Sequence, residues 1–416
     1  MGRTEPSVGR PPASFRKDAR AKKAKATINK VIPTLLSGHP RAQKGIDSAE
    51  LIPFIKDPVV PAIYGKILEE QKQKKNSDTK GTSSDGADDP YKILEKLKTP
   101  KISIREVDTL SAAKGLLDIQ IPAGIVPDLS NTRAHVTILN MGSPLNPGGG
   151  FLNGANSQEE SLCMRSTLYP SLKDEWYRLP EYSTIWTPNV LVFRDEEGND
   201  LDKRDRFYVD CVTAAMIRGP EFELDDDGVA SYANKKDRDA AYAKMKAVMR
   251  VAMYKGSKRL VLGAWGCGAH GNPVGEIARI WKSVLNPRYD KSKPLKERWE
   301  NIDEIVFAIK DHNMAQAFAE AWGDGLERPD ETKEYDEEGR EEEGEVIDLA
   351  DVKTQELQDK IKELEQRIQK ASNPKVSEGL KNILEGLKKQ LPAEDEASTR
   401  ESSDWEDVKA ESAGSS

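Results

Sequence analysis

Apolar and polar positions recur with two different periods between about residue 101 and residue 322. Alternating or fully apolar short runs predict strands, and apolar residues three or four apart predict helices. The predicted strands are KISIREVDTL, AHVTILNM, STIWTPNVLVFRD, RFYVDCVTAAMI, KRLVLGAW and EIVFAI. The predicted helices are SAAKGLLDI, a stretch beginning near Ser157, Asn234 to Tyr254, NPVGEIARIWKSVL and HNMAQAFAEAW. This alternation indicates an α/β fold in which a mixed or mainly parallel sheet carries helices on both faces.

The N-terminal part of the chain is more polar. Residues 1–27 include the basic segment RKDARAKKAK and are predicted to be a disordered tail, with a nuclear-import signal or a polyanion contact as the sharper alternative. Residues 28–100 are predicted to be a helical extension and a linker. The extension has near-helical spacing in ATINKVIPTLLSG, interrupted at Pro33, and the stretch from Lys72 to Pro90 is rich in Gly, Ser and Asp. The core domain is expected over residues 101–325.

The composition changes again after Gly325. Eleven acidic residues stand against three basic ones between Glu327 and Glu345, so residues 326–350 are predicted to be an acidic linker. Residues 351–392 carry two apolar stripes at helical spacing, separated by SNPK, which predicts an amphipathic helical hairpin. Such a hairpin docks on the core or pairs with another chain. Residues 393–416 are predicted to be a disordered tail.

Composition narrows the class of protein. Of 416 residues, 37% are hydrophobic and 32% are charged, which fits a globular core with polar extensions. The three cysteines are far apart and odd in number, which argues against a disulfide framework and a cysteine metal site and favours an intracellular location, nuclear or cytoplasmic. No apolar run approaches the roughly 20 residues that span a bilayer, so no membrane partner is expected. The net charge of −8 does not favour ordinary DNA or RNA as a partner.

Glycine-rich loops follow two of the predicted strands. NMGSPLNPGGGFLNGAN follows AHVTIL, and WGCGAHGN follows KRLVLGA; a helix comes after each, the second with Asn272 as its N-cap and Pro273 in its first turn. Loops at the carboxyl ends of strands line the ligand crevice of an open α/β sheet. Glycine allows close approach of the backbone, and exposed N–H groups at a helix N-terminus favour anions. The two loops therefore predict a site for a ligand that contains a diphosphate.

A pair of carboxylates opens the first of these helices. Ser157-Gln158-Glu159-Glu160 fits a capping box, in which Ser157 and Glu160 satisfy backbone donors of the first turn. Consecutive helical residues project about 100° apart, so at most one of the two glutamates can point fully into the loop. Spacing does not decide which one, nor whether the pair caps the helix or performs catalysis.

The sequences of these loops resemble those of a known family. GGG at Gly148 to Gly150, followed by Gln158-Glu159-Glu160, resembles the signature of the poly(ADP-ribose) glycohydrolases. PGGGFLNGANSQEESLCMRSTLYPSL is similar to the microbial-type branch shared by bacteria and filamentous fungi, and GAWGCGAHGNP is similar to its diphosphate-binding loop. The resemblance runs from about Ile102 to Trp322. It implies a macrodomain-like three-layer α/β/α fold with a mixed sheet, and hydrolysis of ribose–ribose O-glycosidic bonds in poly(ADP-ribose) without metal or cofactor.

The resemblance also implies a role for each matching residue. Glu160 would be the catalytic acid/base of a reaction with an oxocarbenium-like transition state. Glu159 would hold a ribose hydroxyl, Gln158 would support the loop, and Asn140 would lie near the distal ribose. The positions that would surround the diphosphate and ribose are Gly148, Gly149, Gly150, Gly266, Cys267, Gly268, Ala269, His270, Gly271 and Asn272.

One position departs from the family pattern, because His270 stands where microbial-type sequences commonly have Phe. Its imidazole could stack beside the ribose, donate to a phosphate, or be a solvated loop residue. Cys267 has no evident partner base and is interpreted as a small loop residue rather than a nucleophile. Trp265 and Trp281 are interpreted as core residues. Three tyrosines could contact the adenine: Tyr169, Tyr177 and Tyr182.

Other functions remain open at this point. The same fold could bind ADP-ribose without cleaving it, could remove single ADP-ribose groups from proteins, or could serve as a relic core for an interaction protein. The expected partners are poly(ADP-ribose), ADP-ribose and ADP-ribosylated proteins. A helical partner or a second copy of the chain is expected for residues 351–392.

Overall fold

The computed structural model of the protein describes residues 13–55, 99–224, 229–286 and 297–328, and Lys381. Its helices are α1 (Ala13–Ala26), α2 (Ile32–Gly38), α3 (Pro40–Asp47), α4 (Thr109–Gly115), α5 (Gln158–Arg165), α6 (Lys235–Tyr254), α7 (Val274–Leu285) and α8 (His312–Trp322). Its strands are β1 (Glu50–Ile52), β2 (Lys101–Arg105), β3 (Asp118–Ile121), β4 (Gly124–Pro127), β5 (Val136–Met141), β6 (Thr184–Val192), β7 (Phe207–Ala214), β8 (Phe222–Leu224), β9 (Ala230–Tyr232), β10 (Arg259–Leu262) and β11 (Glu304–Ala308). The predicted alternation of strands and helices is confirmed.

Seven strands form one mixed sheet in the order β1-β6-β7-β5-β10-β11-β2. The five strands from β7 to β2 are parallel to their neighbours, whereas β6 pairs antiparallel with both β7 and β1. Strands β5 and β10 are direct neighbours, with Ile138 opposite Val261. The loops that follow these two strands therefore meet at the same edge of the sheet.

The core occupies both faces of the sheet. Successive strand residues point to opposite faces, and Ile138 and Leu139 accordingly belong to different apolar clusters. Ile138 packs with Leu110 of α4 and Leu162 of α5. Leu139 lies in the cluster formed by the apolar sides of α6, α7 and α8. The predicted arrangement of one mixed sheet between two layers of helices is confirmed.

The N-terminal segment differs from the prediction. Residues 13–27, expected to be disordered, are helical, and Ala24 and Thr27 are buried. The predicted interruption at Pro33 is also wrong, because a wider helical turn over Thr27–Val31 leads directly into α2. Pro33 then stands in the first turn of α2, directly after this wider turn.

The segment expected to be a helical extension also contributes a strand, β1, to the edge of the sheet. Leu51 of β1 lies opposite Ile185 of β6. At the other end, the chain remains on the sheet beyond Gly325, since the Glu327 N–H group donates to the Ile102 carbonyl over 3.0 Å. The chain divides into two compact units, Met1–Asp336 and Glu337–Ser416.

Several predicted segments cannot be compared with the structure. The acidic linker after Arg328, the hairpin at 351–392 apart from Lys381, the tail at 393–416 and the linker from Lys72 to Pro90 lie outside the described residues. Within the part of the chain that is described, no helix is long and apolar enough to cross a membrane.

Candidate active site

The candidate site lies between two loops at the carboxyl edge of the sheet. The first loop, residues 142–157, joins β5 to α5, and the second loop, residues 263–273, joins β10 to α7. Because β5 and β10 pair, the loops begin side by side. The glutamate pair stands where the first loop ends and α5 begins.

Glu160 is held by the first loop itself. Its Oε1 accepts a hydrogen bond from the Gly150 N–H group over 2.7 Å. Its Oε2 accepts from the Ser157 N–H group over 3.1 Å and from the Ser157 hydroxyl. The predicted capping box is therefore present, and it coexists with a second function: the bond to Gly150 ties the carboxyl group to the GGG turn. Only 6% of Glu160 is exposed to solvent.

Glu159 points to the other side of the same loop. Its Oε2 accepts from the Ser143 N–H group over 2.7 Å, and its Oε1 lies 3.4 Å from the Asn140 amide nitrogen. Burial raises the pKa of Glu159 to about 8; the Ser143 donor opposes this shift, and the nearby charge of Glu160 adds to it. A proton is therefore available within the carboxylate pair at neutral pH.

Gln158 and Asn140 fix the pair relative to the sheet. The Gln158 amide accepts from the Met141 N–H group over 2.9 Å and donates to the Leu139 carbonyl over 2.7 Å, which fastens the start of α5 to β5. Asn140 is fully buried and donates to the Thr213 hydroxyl over 3.1 Å. Its Oδ1 atom is buried without a hydrogen-bond donor among the described residues. A ligand hydroxyl beside Glu159 would satisfy this atom.

The GGG turn is shaped by the two carboxylates. Gly149 has a φ of 57°, and a Cβ atom there would stand 2.7 Å from Glu160 Oε1 and 3.0 Å from Glu159 Oε2. Gly148 also has a positive φ, and its Cβ position lies 2.8 Å from the Tyr169 ring. Glycine is required here by the protein's own side chains, since any Cβ would displace the groups that it covers.

The second loop is built differently. Among the described residues, the N–H groups of Gly268, Ala269 and His270 have no hydrogen-bond acceptor. Gly268 and Ala269 are exposed, and a Cβ atom at Gly268 would meet nothing within 4 Å. Consecutive unpaired N–H groups ahead of a helix make an anion-binding concavity. The second loop therefore has the open donors that a diphosphate needs.

This contrast corrects the expectation that both loops offer their N–H groups to the ligand. In the first loop the N–H groups of Ser143, Gly149, Gly150 and Ser157 donate within the protein. These donors hold the carboxylates and the turn in place. The second loop is consequently the stronger anion site.

Asn272 is not the N-cap of α7, as the sequence predicts, because the helix begins one residue later with Pro273 in the capping position. The buried Asn272 amide instead donates to the carbonyl groups of Gly266 and Ile217 and accepts from the Tyr232 hydroxyl over 2.7 Å. Its polar atoms are therefore used to fasten the second loop to the segment after β7. A helix cap is a local pattern, whereas these partners are distant in sequence.

His270 and Cys267 complete the second loop. Burial lowers the pKa of His270, and the positive charge of Arg218 lowers it further, so the imidazole is neutral at neutral pH. His270 is half-buried, and its carbonyl accepts from the Gly219 N–H group over 2.8 Å. It is therefore not the fully solvated residue that was one of the sequence interpretations. Burial raises the pKa of the Cys267 thiol, which opposes its use as a nucleophile.

The aromatic residues divide between core and site. As predicted, Trp265 and Trp281 are buried core residues. The centres of their rings lie 6.3 Å apart. Tyr169 packs against Phe151 with ring centres 5.3 Å apart, beneath the GGG turn. The Tyr177 hydroxyl is buried without a hydrogen-bond partner among the described residues, and burial together with the charge of Glu159 raises its pKa. Which residue contacts adenine stays a prediction.

Sequence inspection missed two site residues, Ser143 and Thr213. Ser143 acts through its backbone N–H group and Thr213 through a contact with Asn140 that spans 73 positions, so neither has a side-chain signature in the sequence. The only signal for these residues in the sequence was the run of proline and glycine residues around Ser143. Within the described residues, no group of three His, Cys, Asp or Glu side chains is arranged to hold a metal ion.

Comparison with known proteins identifies the segment that carries this geometry. Residues 65–195 match the catalytic domain of microbial-type poly(ADP-ribose) glycohydrolase. No curated protein matches the chain. Solved structures to which it is similar include the poly(ADP-ribose) glycohydrolase of Thermomonospora curvata, at 25% identity over 73% of this chain and 99% of that one, with a TM-score of 0.48. The enzyme of Deinococcus radiodurans in complex with ADP-ribose matches at 21% identity over 68% and 96%, with a TM-score of 0.44.

The matched segment contains the whole of the first loop, both glutamates and the strand that precedes them. The geometry of this segment agrees with the resemblance seen in the sequence, since Glu159 and Glu160 are brought together beneath the GGG turn. Over residues 65–195, this chain is therefore similar to the catalytic domain of the microbial-type poly(ADP-ribose) glycohydrolases.

Proposed function

We propose that the protein hydrolyses the ribose–ribose O-glycosidic bonds of poly(ADP-ribose) and releases ADP-ribose, with Glu160 as the acid/base. The observation that carries this proposal is the position of Glu160. Its carboxyl group is fixed by Gly150 and Ser157 beneath a glycine turn, beside a second carboxyl group and next to a loop with open N–H donors. Most glycoside hydrolases use such a pair of carboxyl groups.

Binding uses the second loop and the end of β5. The N–H groups of Gly268, Ala269 and His270 donate to the diphosphate of the terminal ADP-ribose unit. The distal ribose then lies between the two loops, where Asn140 Oδ1 accepts a hydrogen bond from a ribose hydroxyl. Glu159, protonated at neutral pH because of its burial, donates to an oxygen of the same ribose. These contacts orient the anomeric carbon toward Glu160.

Cleavage requires one proton to be delivered and one to be recovered. The Glu160 carboxyl group gives its proton to the departing ribose oxygen as the bond from the anomeric carbon breaks. The resulting carboxylate then accepts a proton from water as the water oxygen attacks the anomeric carbon. The hydrogen bonds from Gly150 and Ser157 hold the carboxyl group in one orientation through both steps. The net reaction consumes one water molecule for each ADP-ribose released.

The test separates catalysis by Glu160 from its role as a helix cap. Purified Glu160→Gln and Ser157→Ala proteins are incubated with poly(ADP-ribose), and released ADP-ribose is measured by chromatography. Glu160→Gln is expected to lower turnover by roughly 10² to 10⁴ while ADP-ribose still binds. Ser157→Ala keeps the carboxyl group but removes a capping hydroxyl, so it is expected to cost about 1 kcal/mol of unfolding free energy with a much smaller loss of turnover.

A Glu160→Gln protein that hydrolyses poly(ADP-ribose) at nearly the parental rate would overturn the assignment. Equal losses in Glu160→Gln and Ser157→Ala would assign Glu160 to capping alone. Glu159→Gln is expected to weaken substrate binding as well as turnover, since its proposed role is to hold the ribose.

We also propose that ADP-ribosylated proteins supply the polymer and that residues 351–392 pair with a helical partner or with a second copy of the chain. The two apolar stripes of this segment support the second proposal. Light scattering of the full chain and of a chain ending at Asp336 compares the two oligomeric states. The shorter chain is expected to retain hydrolysis, because every site residue lies before Asp336. Loss of hydrolysis with retained folding would contradict this expectation.

A further inference from the structure

A second cavity opens beside the first loop, on the side of the sheet edge where β7 ends. Its volume is about 310 Å³. Its apolar walls include Pro144, Leu179, Met216 and Ile217, and its polar groups are Glu181, Ser183 and Lys244. A volume near the lower end of the roughly 300 to 1,000 Å³ that is typical of small-molecule sites suits one nucleoside better than a whole dinucleotide.

Lys244 brings a positive charge into this cavity, which will be called the Lys244 pocket. The residue projects from α6 and is only 8% exposed. Its ammonium group donates to the Glu181 carbonyl and lies 5.5 Å from the centre of the Tyr182 ring. Glu181 also lines the pocket, and its charge raises the pKa of Lys244, but burial is the larger effect and lowers that pKa overall. Because burial disfavours the Lys244 cation more than Glu181 favours it, an anionic ligand would offset the remaining cost.

The Lys244 pocket is continuous with the catalytic groups. Pro144 directly follows Ser143, whose N–H group donates to Glu159. The Pro144 carbonyl accepts a hydrogen bond from the Leu179 N–H group over 2.9 Å. On the opposite wall, Met216 packs against the second loop: a Cβ atom at Gly266 would stand 2.7 Å from Met216 Cγ. The pocket therefore begins on the residues that position the carboxylates and the diphosphate loop.

The chemistry of the substrate matches this arrangement. When the scissile bond of poly(ADP-ribose) breaks, the leaving group is the adenosine ribose of the next unit. That adenosine ribose carries a flat base on one side and a phosphate on the other. A base needs apolar walls, and a phosphate needs a cation. Since the second loop is occupied by the diphosphate of the unit being released, the next unit needs a separate site.

We propose that the Lys244 pocket binds the adenosine phosphate of the ADP-ribose unit on the leaving-group side of the scissile bond, with the Lys244 ammonium paired to its phosphate. This assignment rests on the proposed glycohydrolase function. The pocket gives the enzyme a preference for polymer over substrates whose leaving group carries no nucleotide. Free ADP-ribose, which fills only the site between the two loops, does not use it.

The test compares two substrates in three variants. Lys244→Met removes the charge and keeps an apolar stem, Ile217→Trp fills the pocket from another wall, and Lys236→Met is the control on the exposed face of α6. The substrates are poly(ADP-ribose) and ADP-ribose that carries a p-nitrophenyl group on the anomeric carbon of its distal ribose. Lys244→Met and Ile217→Trp are expected to raise KM for the polymer about 10- to 100-fold, the effect of one charge-assisted contact. Their kcat/KM for the nitrophenyl substrate is expected to stay within about twofold of the parental value, as are both parameters of Lys236→Met.

Binding gives a readout that does not depend on turnover. The affinity of each variant for poly(ADP-ribose) and for ADP-ribose is measured by fluorescence anisotropy. Weaker polymer binding with unchanged ADP-ribose binding supports the pocket assignment. Equal changes for both ligands, or no change for either, would overturn it. A parental protein that binds the polymer but releases no ADP-ribose contradicts the glycohydrolase function instead, and the anisotropy data then decide the pocket alone.

Discussion

The two loops are both rich in glycine, but they have opposite relations to the rest of the protein. In the first loop, the space beside Gly149 is filled by Glu159 and Glu160, and the N–H groups are used internally. In the second loop, the space beside Gly268 is open, and its N–H group has no acceptor among the described residues. Glycine in the first loop makes room for catalytic side chains, whereas glycine in the second makes room for a ligand. The following predictions test this difference.

The largest effect is expected from Gly149→Ala. The new Cβ atom would combine a left-handed backbone with contacts of 2.7 and 3.0 Å to the two carboxylates. Strain and overpacking together are expected to lower the unfolding free energy by about 2 to 5 kcal/mol. Displacement of the carboxylates is expected to lower turnover by about 100-fold or more. Chemical denaturation and an ADP-ribose release assay measure the two effects, and parental values for both would contradict the internal role of this glycine.

A smaller loss of stability is expected from Gly154→Ala, at the outer side of the first loop. A Cβ atom there would stand 2.1 Å from the Lys17 carbonyl oxygen of α1, and the Arg20 side chain donates to the Gly154 carbonyl over 2.7 Å. The substitution is expected to displace α1 and to cost about 1 to 3 kcal/mol. Gly256→Ala is the control, because Gly256 has the same φ of 78° and its Cβ position meets nothing within 4 Å. Equal melting temperatures for the two variants would show that α1 does not brace the first loop.

The two loops should respond to pH with opposite signs. The pKa of Glu159 is raised to about 8 from an ordinary value of 4.5, so its contribution to stability is full below pH 4.5 and is lost as pH rises to 8. The pKa of His270 is lowered from 6.5, so its contribution is present above pH 6.5 and is lost as pH falls.

Unfolding free energies at pH 5.5, 7 and 8.5, measured for the parental, Glu159→Gln and His270→Gln proteins, isolate these contributions. Glu159→Gln is expected to reduce the loss of stability as pH rises from 5.5 to about 8, and His270→Gln is expected to reduce the loss as pH falls from about 7 to 5.5. If both variants kept the parental pH profile of stability, the predicted opposite pH dependence of the two loops would be wrong.

The smallest effect on the fold is expected from Gly268→Ala. The residue is exposed, its backbone is not left-handed, and its Cβ position is open, so the unfolding free energy is expected to change by less than about 0.5 kcal/mol. A methyl group in the path of the diphosphate is expected to weaken ADP-ribose binding by about 2- to 10-fold, the range of one hydrogen bond. The shift in melting temperature on addition of ADP-ribose measures this loss. A marked fall in stability without ligand would mean that the second loop, too, is built around its glycines.

The sequence by itself determined the order of strands and helices from residue 101 to 322, the positions of both loops and the capping box at Ser157 and Glu160. These features depend on local chemistry: the apolar periods of strands and helices, the backbone freedom of glycine and the short reach of a capping side chain. The resemblance of the sequence motifs to those of a known family added a role for each glutamate. It did so without any information on which carboxyl group is more deeply buried.

The tertiary structure decided what each polar group contacts. The helix α1, predicted to be disordered because it is rich in Lys and Arg, is held by contacts such as Arg20 with Gly154, which are 134 positions apart. Asn272 leaves its predicted capping position for partners on a distant segment, and the buried Lys244 donates to the Glu181 carbonyl, 63 positions away in the sequence. The raised pKa of Glu159 likewise depends on burial by the whole fold. Local patterns cannot encode these outcomes, because desolvation and hydrogen-bond pairing are set by residues that meet only after the chain has folded.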